Sequence, residues 1–183
     1  MKNLLLLVTT LGLLMPAKYN VLADKNEKLH KGVKEAIELL KKSDPSLDKF
    51  FKESFAYSVF PKIAKGGFGV GAAHGNGEVY EKGKMVGRAS MSQISIGLQL
   101  GGQVYIEVIF FENEKVFKDF KNGKLKFSAQ ASAVAAAEGV AKNAKYELGV
   151  LIFTLAKNGL MYEAGVGGQK FKFKPFEVPP KEE

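Results

Sequence analysis

The sequence predicts an α+β fold: an antiparallel, strongly curved or barrel-like sheet with two N-terminal helices and one inserted helix. Two observations carry this. Apolar residues recur at helical spacing before Pro61 and change to period two from Gly67 onward. One short helical pattern near residues 113–124 then interrupts strands that continue to Lys174. A chain of 183 residues, 46% hydrophobic and 25% charged, can bury one core of ordinary size.

Residues 1–23 read as a secretory signal peptide. Lys2 gives the positive start, Leu4 to Met15 the apolar core, and Val21-Leu22-Ala23 a small-residue cleavage pattern, so the mature chain is expected to begin at Asp24. The apolar run is about a dozen residues, whereas a membrane-spanning helix needs about 20. The chain has no cysteine, which removes a disulfide framework, a thiol nucleophile and a lipid-anchored cysteine together. Loss of Lys2 and Lys18 lowers the net charge from +8 to +6. That balance favours anionic partners such as phospholipid headgroups, acidic polymers or nucleic acid, and export argues against nucleic acid. The remaining divisions are a basic amphipathic helix at 24–42, the main domain at 43–175 and a Pro-rich, charged tail at 176–183.

In the first helix Leu29, Val33, Ile37 and Leu40 form one apolar stripe, and Lys28, Lys31, Lys34, Lys41 and Lys42 supply positive charge. The pattern suits a surface helix packed on the domain, and also a helix that lies on an anionic membrane. The second helix is expected to start with Asp44 as N-cap and Pro45 as first helical residue, to turn Leu47, Phe50, Phe51 and Phe55 to the core, and to end at Pro61.

The strands follow. In "SQISIGLQLGGQVYIEVIFF" the alternation predicts a hairpin with a three-residue loop at 101–103, pairing Leu100 with Val104 and Leu98 with Ile106. In the inserted helix Val116, Phe117 and Phe120 share a side, and Gly123 marks the stop. "KLKFSAQASAVA" alternates Leu125, Phe127, Ala129 and Ala131, and "YELGVLIFT" continues the sheet. A last hairpin turning at Gly168-Gln169 would pair Val166 with Phe171 and Ala164 with Phe173. Lys170, Lys172 and Lys174 alternate with Phe171 and Phe173, as in an edge strand guarded by charge. A transmembrane barrel is disfavoured, because several strands are apolar on both faces and helices hold many of the aromatics.

The glycine-rich run "KGGFGVGAAHGNG" imitates a dinucleotide fingerprint. It leads, however, into Asn76-Gly77, a hairpin signal, and not into the helix that a phosphate loop requires. Gly67, Gly69 and Gly71 instead share one face of a strand. Such a face admits close approach by another layer of protein, follows sheet curvature, or forms a shallow groove for an extended apolar ligand such as an acyl chain.

Catalytic constellations are poor. His74 with Ser90, Ser92 or Ser95 and Glu78 is the best available hydrolase set, but no G-x-S-x-G elbow is present and His74 is expected beside a turn. His30 and His74 fall in different elements without metal-ligand spacing, so no metal or other cofactor is expected. Glu107 and Glu163 read as solvated edge charges.

Four segments, "VFPKIAKGGFGVGAAHGNGEVYEKGKMVG", "IGLQLGGQVYIEVIFF", "FSAQASAVA" and "GLMYEAGVGGQKF", resemble in order the SYLF domain, also called the Ysc84-type lipid-binding domain, in its bacterial exported form. The resemblance spans roughly Ala36 to Lys174. Many relatives place a tryptophan after the glycine-rich hairpin, where this chain reads Gly83-Lys84-Met85-Val86-Gly87. The resemblance implies an exported, non-catalytic phospholipid-binding module of the periplasm or the secreted fraction, peripheral to a membrane. Its anionic phospholipid site would use the five lysines and the stripe of the first helix together with Gly67, Gly69 and Gly71. Actin binding is not expected of an exported bacterial form. The alternative is a structural or protein-interaction protein of the cell envelope without a specific lipid ligand.

Overall fold

Two very long strands organise the molecule. The computed structural model describes residues 17–125, 132–134, 140–156, 159–164 and 168–176. Helices α1 (Ala17–Ser43) and α2 (Leu47–Glu53) precede strands β1 (Ala56–Glu81) and β2 (Lys84–Phe111). Helix α3 (Glu114–Lys121) follows, then β3 (Ser132–Val134), a 3₁₀ turn at Val140–Asn143, β4 (Val150–Ala156), β5 (Gly159–Ala164) and β6 (Gln169–Pro175). The sheet is antiparallel in the order β1-β2-β4-β5-β3, and β6 also pairs with β2. It is curved but not closed, which fits the expected α+β class and selects the open form over the barrel.

Both faces of the sheet are covered. On one, Val33, Ala36 and Leu40 of α1 and Leu47, Phe50 and Phe51 of α2 pack on Tyr57, Val59, Tyr80, Val108, Phe110, Leu151 and Phe153. On the other, Phe117 and Phe120 of α3 pack with Phe60, Ile63, Ile109, Phe111, Ile152 and Phe171. A strand buried on both faces carries apolar residues at successive positions, which accounts for Val108-Ile109-Phe110-Phe111.

Several expectations are corrected here. Among the described residues, helix α1 spans Ala17–Ser43 and so includes the last part of the segment read as leader. Helix α2 is shorter than expected. Asp44 accepts hydrogen bonds from the backbone N–H and hydroxyl of Ser46, Pro45 lies in the turn, and the helix ends at Glu53. Phe55 then crosses to the opposite core, its ring 6.1 Å from that of Phe117. Pro61 does not terminate a helix; it sits inside β1 at a register shift between Phe60 and Ile63, where the ladder spares its missing N–H.

The first hairpin turns at Lys82-Gly83, with φ of 50° and 76°, and not at Asn76-Gly77. Positive φ at both central residues suits the twist of flanking strands. Gly77 serves a different purpose. A Cβ there would lie 2.4 Å from the Val59 carbonyl oxygen and 2.7 Å from the Phe60 ring, because the curled ribbon brings the two halves of β1 together. Tyr57 and Tyr80 stack across the same approach at 4.9 Å. His74 consequently lies within β1 and not beside a turn.

Gly101-Gly102 makes no hairpin. Strand β2 runs straight through it, pairing Gly101 with Gly67, Gly102 with Gly66, Leu100 with Phe68 and Val104 with Ala64. The last expected hairpin is also replaced. Ala164 pairs with Ser132 and Phe173 with Ala89, because β6 leaves β5 and adds to the first half of β2, while β4 occupies the second half. Val166, Phe127, Ala129 and Ala131 lie outside the described residues.

Candidate functional site

Helix α1 lies on the sheet with its apolar stripe turned inward. Val33 and Leu40 are fully buried, and Leu29 and Ile37 pack against the same core. The stripe is therefore unavailable to a membrane while the helix stays docked. The lysines divide into two groups. Lys28 pairs with Asp24 at 2.8 Å, and Lys41 pairs with Asp48 at 2.7 Å with its ammonium 5.1 Å from the Phe51 ring. Lys31, Lys34 and Lys42 are exposed and take part in no ion pair among the described residues. Lys41 and Lys52 both bond Asp48, and these bonds hold its carboxyl down to about 2, which ties α1 to α2.

Beside α1 runs an open groove of about 390 Å³. Leu29, Gly32, Ala36 and Leu39 form its helical wall, Pro61 and Ile106 its floor on the sheet, and Lys28, Lys62 and Glu35 its polar members. Leu39 is 49% exposed, unusual for a leucine on a helix that covers a core. Pro61, at the register shift of β1, lies close to Gly32, where an added Cβ would stand 3.6 Å from the proline ring.

Below the first half of α1 lies a buried acid. Glu78 is fully buried, and its Oε2 accepts a hydrogen bond from the Tyr80 hydroxyl at 2.8 Å and lies 3.0 Å from Nδ1 of His30. The two side chains share one hydrogen bond, whose direction is set by the imidazole tautomer. Burial, reinforced by the bond to Glu78, pushes the Tyr80 phenol far above its ordinary range. His30 thus fastens α1 to β1 across 48 residues of sequence. Sequence reasoning found both residues but not their contact; the available signal was an acid two positions from a tyrosine in an otherwise apolar and glycine-rich stretch.

The structure does not bring together all the residues singled out in the sequence. Gly67 alternates with Ile63, and Gly71 with Ala73, which places both on the face opposite α1. Gly71 is buried, Gly67 is half-buried, and the surroundings of Gly69 lie outside the described residues. The glycine face and the lysine-bearing helix are therefore two separate surfaces. His74 is exposed and opposite Ser92 in register, but Glu78, the acid expected to orient it, is engaged by His30 and Tyr80. The side chain of Ser95 lies outside the described residues.

Glu107 corrects a further expectation. It is fully buried and not a solvated edge charge, and Nε2 of Gln169 donates to its Oε2 at 3.1 Å. The strand alternation was read with one solvated face, whereas Phe60, Ile63 and Phe171 cover that face in the folded chain. The side chain of Glu163 lies outside the described residues.

Fold and site together define an α+β domain on one curled antiparallel sheet, with a helix-walled groove on one face. Residues 92–174 match the family model described as Ysc84, Las17-binding protein actin regulator. The match starts within β2 and ends in β6, a narrower span than Ala36 to Lys174. A curated relative, "Beta cell expansion factor A" of Aeromonas veronii, is 27% identical over 129 residues. Those residues are 69% of this chain and 49% of the relative, so the chain spans about half the length of the curated relative it matches.

Proposed function

We propose that the chain is an exported, non-catalytic module that binds the surface of anionic phospholipid membranes. The observation that carries this reading is the outer face of α1, where Lys31, Lys34 and Lys42 stand exposed, on the same helix whose Leu29, Ala36 and Leu39 wall a groove against Pro61 and Ile106. The lysines attract headgroups, and the groove receives apolar matter that follows them. Since the stripe of α1 is core, shallow insertion of Val33 and Leu40 would require the helix to undock, and docked binding uses the outer face instead.

Each basic residue near an anionic surface is worth about 1 kcal/mol before screening by salt, so the three lysines together contribute about 3 kcal/mol, on the order of 100-fold in partitioning. Vesicle sedimentation tests this with Lys31, Lys34 and Lys42 changed together to Gln. Wild type is expected to sediment with anionic vesicles and not with zwitterionic ones, and the variant to bind on the order of 100-fold more weakly at low salt. Wild type that ignores anionic vesicles refutes the reading. Removing residues 24–42 is no substitute, because Val33, Ala36 and Leu40 hold the fold. Mass spectrometry of the exported chain, expected to start at Asp24, tests the localisation, and phospholipid carried through purification separates this reading from a protein-interaction role.

A further inference from the structure

Three strands lie side by side where β6 adds to the β1–β2 ribbon, and their register places polar residues in rows. His74, Ser92 and Lys170 form one row, Asn76, Ser90 and Lys172 the next, and Glu78, Arg88 and Lys174 the third. The intervening residues Ala73, Met91 and Phe171, with Val79, Ala89 and Phe173, point into the opposite core. All nine side chains therefore share one face. With strands about 4.8 Å apart and alternate residues about 6.8 Å apart, this platform measures roughly 10 Å by 14 Å.

Its chemistry is one-sided. His74, Asn76, Ser92, Lys170, Lys172 and Lys174 are exposed, and none of them has an ion pair or side-chain hydrogen bond among the described residues. Arg88 sets its guanidinium 4.9 Å from the Phe176 ring and leaves Nε buried without a partner. The one acid in the three rows, Glu78, is buried beneath His30. At one end of the platform Ile94 is 72% exposed.

We propose that this platform is a second membrane-facing surface, on which phosphate-bearing headgroups of a bilayer rest with Ile94 reaching into the interface beside them. The inference rests on the lipid reading above and adds a place to it. Charge complementarity selects the occupant: four cations, Lys170, Lys172, Lys174 and Arg88, without an exposed acid in their rows meet a sheet of anions, hydroxyl and amide groups lie beside the lysines, and an exposed aliphatic side chain borders them. Protection of the β6 edge against strand addition explains alternating lysines. It does not require hydroxyl, amide and imidazole groups in register beside them on two neighbouring strands.

The test compares full-length wild type with a variant carrying Lys170→Gln, Lys172→Gln and Lys174→Gln, and with the corresponding Arg variant. Each is sedimented with vesicles of phosphatidylcholine alone and of phosphatidylcholine mixed with phosphatidylglycerol. At about fivefold per lysine, the Gln variant should lose on the order of 100-fold in partitioning to the mixed vesicles at low salt, and the Arg variant should retain wild-type binding. A Gln variant that binds like wild type overturns the platform and leaves the lipid reading standing, whereas wild type that fails to sediment overturns the lipid reading itself. A Gln variant that self-associates while its monomer binds normally reduces the lysines to edge guards and overturns the proposal. Tighter platform-dependent binding of a single-stranded oligonucleotide or an acidic peptide than of mixed vesicles overturns it as well. An Ile94→Trp variant reads insertion directly, since the chain has no other tryptophan; its emission should shift to the blue on mixed vesicles, and an unchanged spectrum on bound protein counts against insertion.

Discussion

Replacing Gly77 by alanine probes the feature that shapes the whole domain, the return of β1 onto itself. The added Cβ would stand 2.4 Å from the Val59 carbonyl oxygen, 2.7 Å from one Phe60 ring atom and 3.0 Å from another, whereas ordinary contact begins at 3.4 Å. The nearest atom belongs to backbone in a hydrogen-bonded ladder, and Phe60 is fully buried, so neither neighbour can turn away cheaply. Overpacking of this kind costs typically 1–3 kcal/mol, and the rigid backbone neighbour places Gly77→Ala near about 3 kcal/mol. For a chain of this length about 3 kcal/mol lowers the melting temperature by roughly 6–12 °C. Gly102→Ala is the matched control: its Cβ would meet only the Lys65 carbonyl oxygen, at 3.8 Å, so stability should hold or rise by up to about 1 kcal/mol. Thermal unfolding followed by circular dichroism measures both. If Gly77→Ala melts with wild type, the two halves of β1 do not cross as described.

Two further outcomes concern α1. His30→Ala leaves Glu78 buried with only the Tyr80 hydroxyl on its Oε2; allowing for the partly exposed imidazole, the cost is about 1–2 kcal/mol, and hydrogen exchange should accelerate along the first half of α1 before the sheet responds. Unchanged protection there would show that His30 does not fasten the helix. Asp48, whose folded carboxyl is held down to about 2 by Lys41 and Lys52, adds stability that is present above the ordinary carboxylate range near 4 and is lost as pH falls toward 2. NMR titration of its carboxyl carbon should show a midpoint near 2, moving up toward 4 in Lys41→Gln; a wild-type midpoint near 4 would contradict the ion-pair geometry.

Local pattern carried much of the architecture. The stripe of α1, the aromatic pair of α2, the end of α3 at Gly123 (φ 65°) and the lysine–phenylalanine alternation of β6 are each readable within a dozen residues. Hairpins were less legible, because glycine has two uses that look alike in sequence. Gly83 supplies a positive φ to a turn, whereas Gly77 supplies an absent Cβ to a crossing. A glycine pair such as Gly101-Gly102 is equally at home in a turn or opposite another glycine pair, and only the partner strand decides.

The same distinction separates what the sequence determined by itself from what required the tertiary structure. Fold class, net positive charge and the apolar–basic division of α1 follow from composition and period, which are local properties of the chain. Which faces of the sheet are covered, that Glu78 and Glu107 are buried, that the glycine face lies opposite α1, and that Lys170, Lys172 and Lys174 line up in turn with Ser92, Ser90 and Arg88 depend on register between strands far apart in sequence. Alternation assigns each side chain to one of two faces of its own strand. Only pairing with distant strands and helices decides what those faces meet.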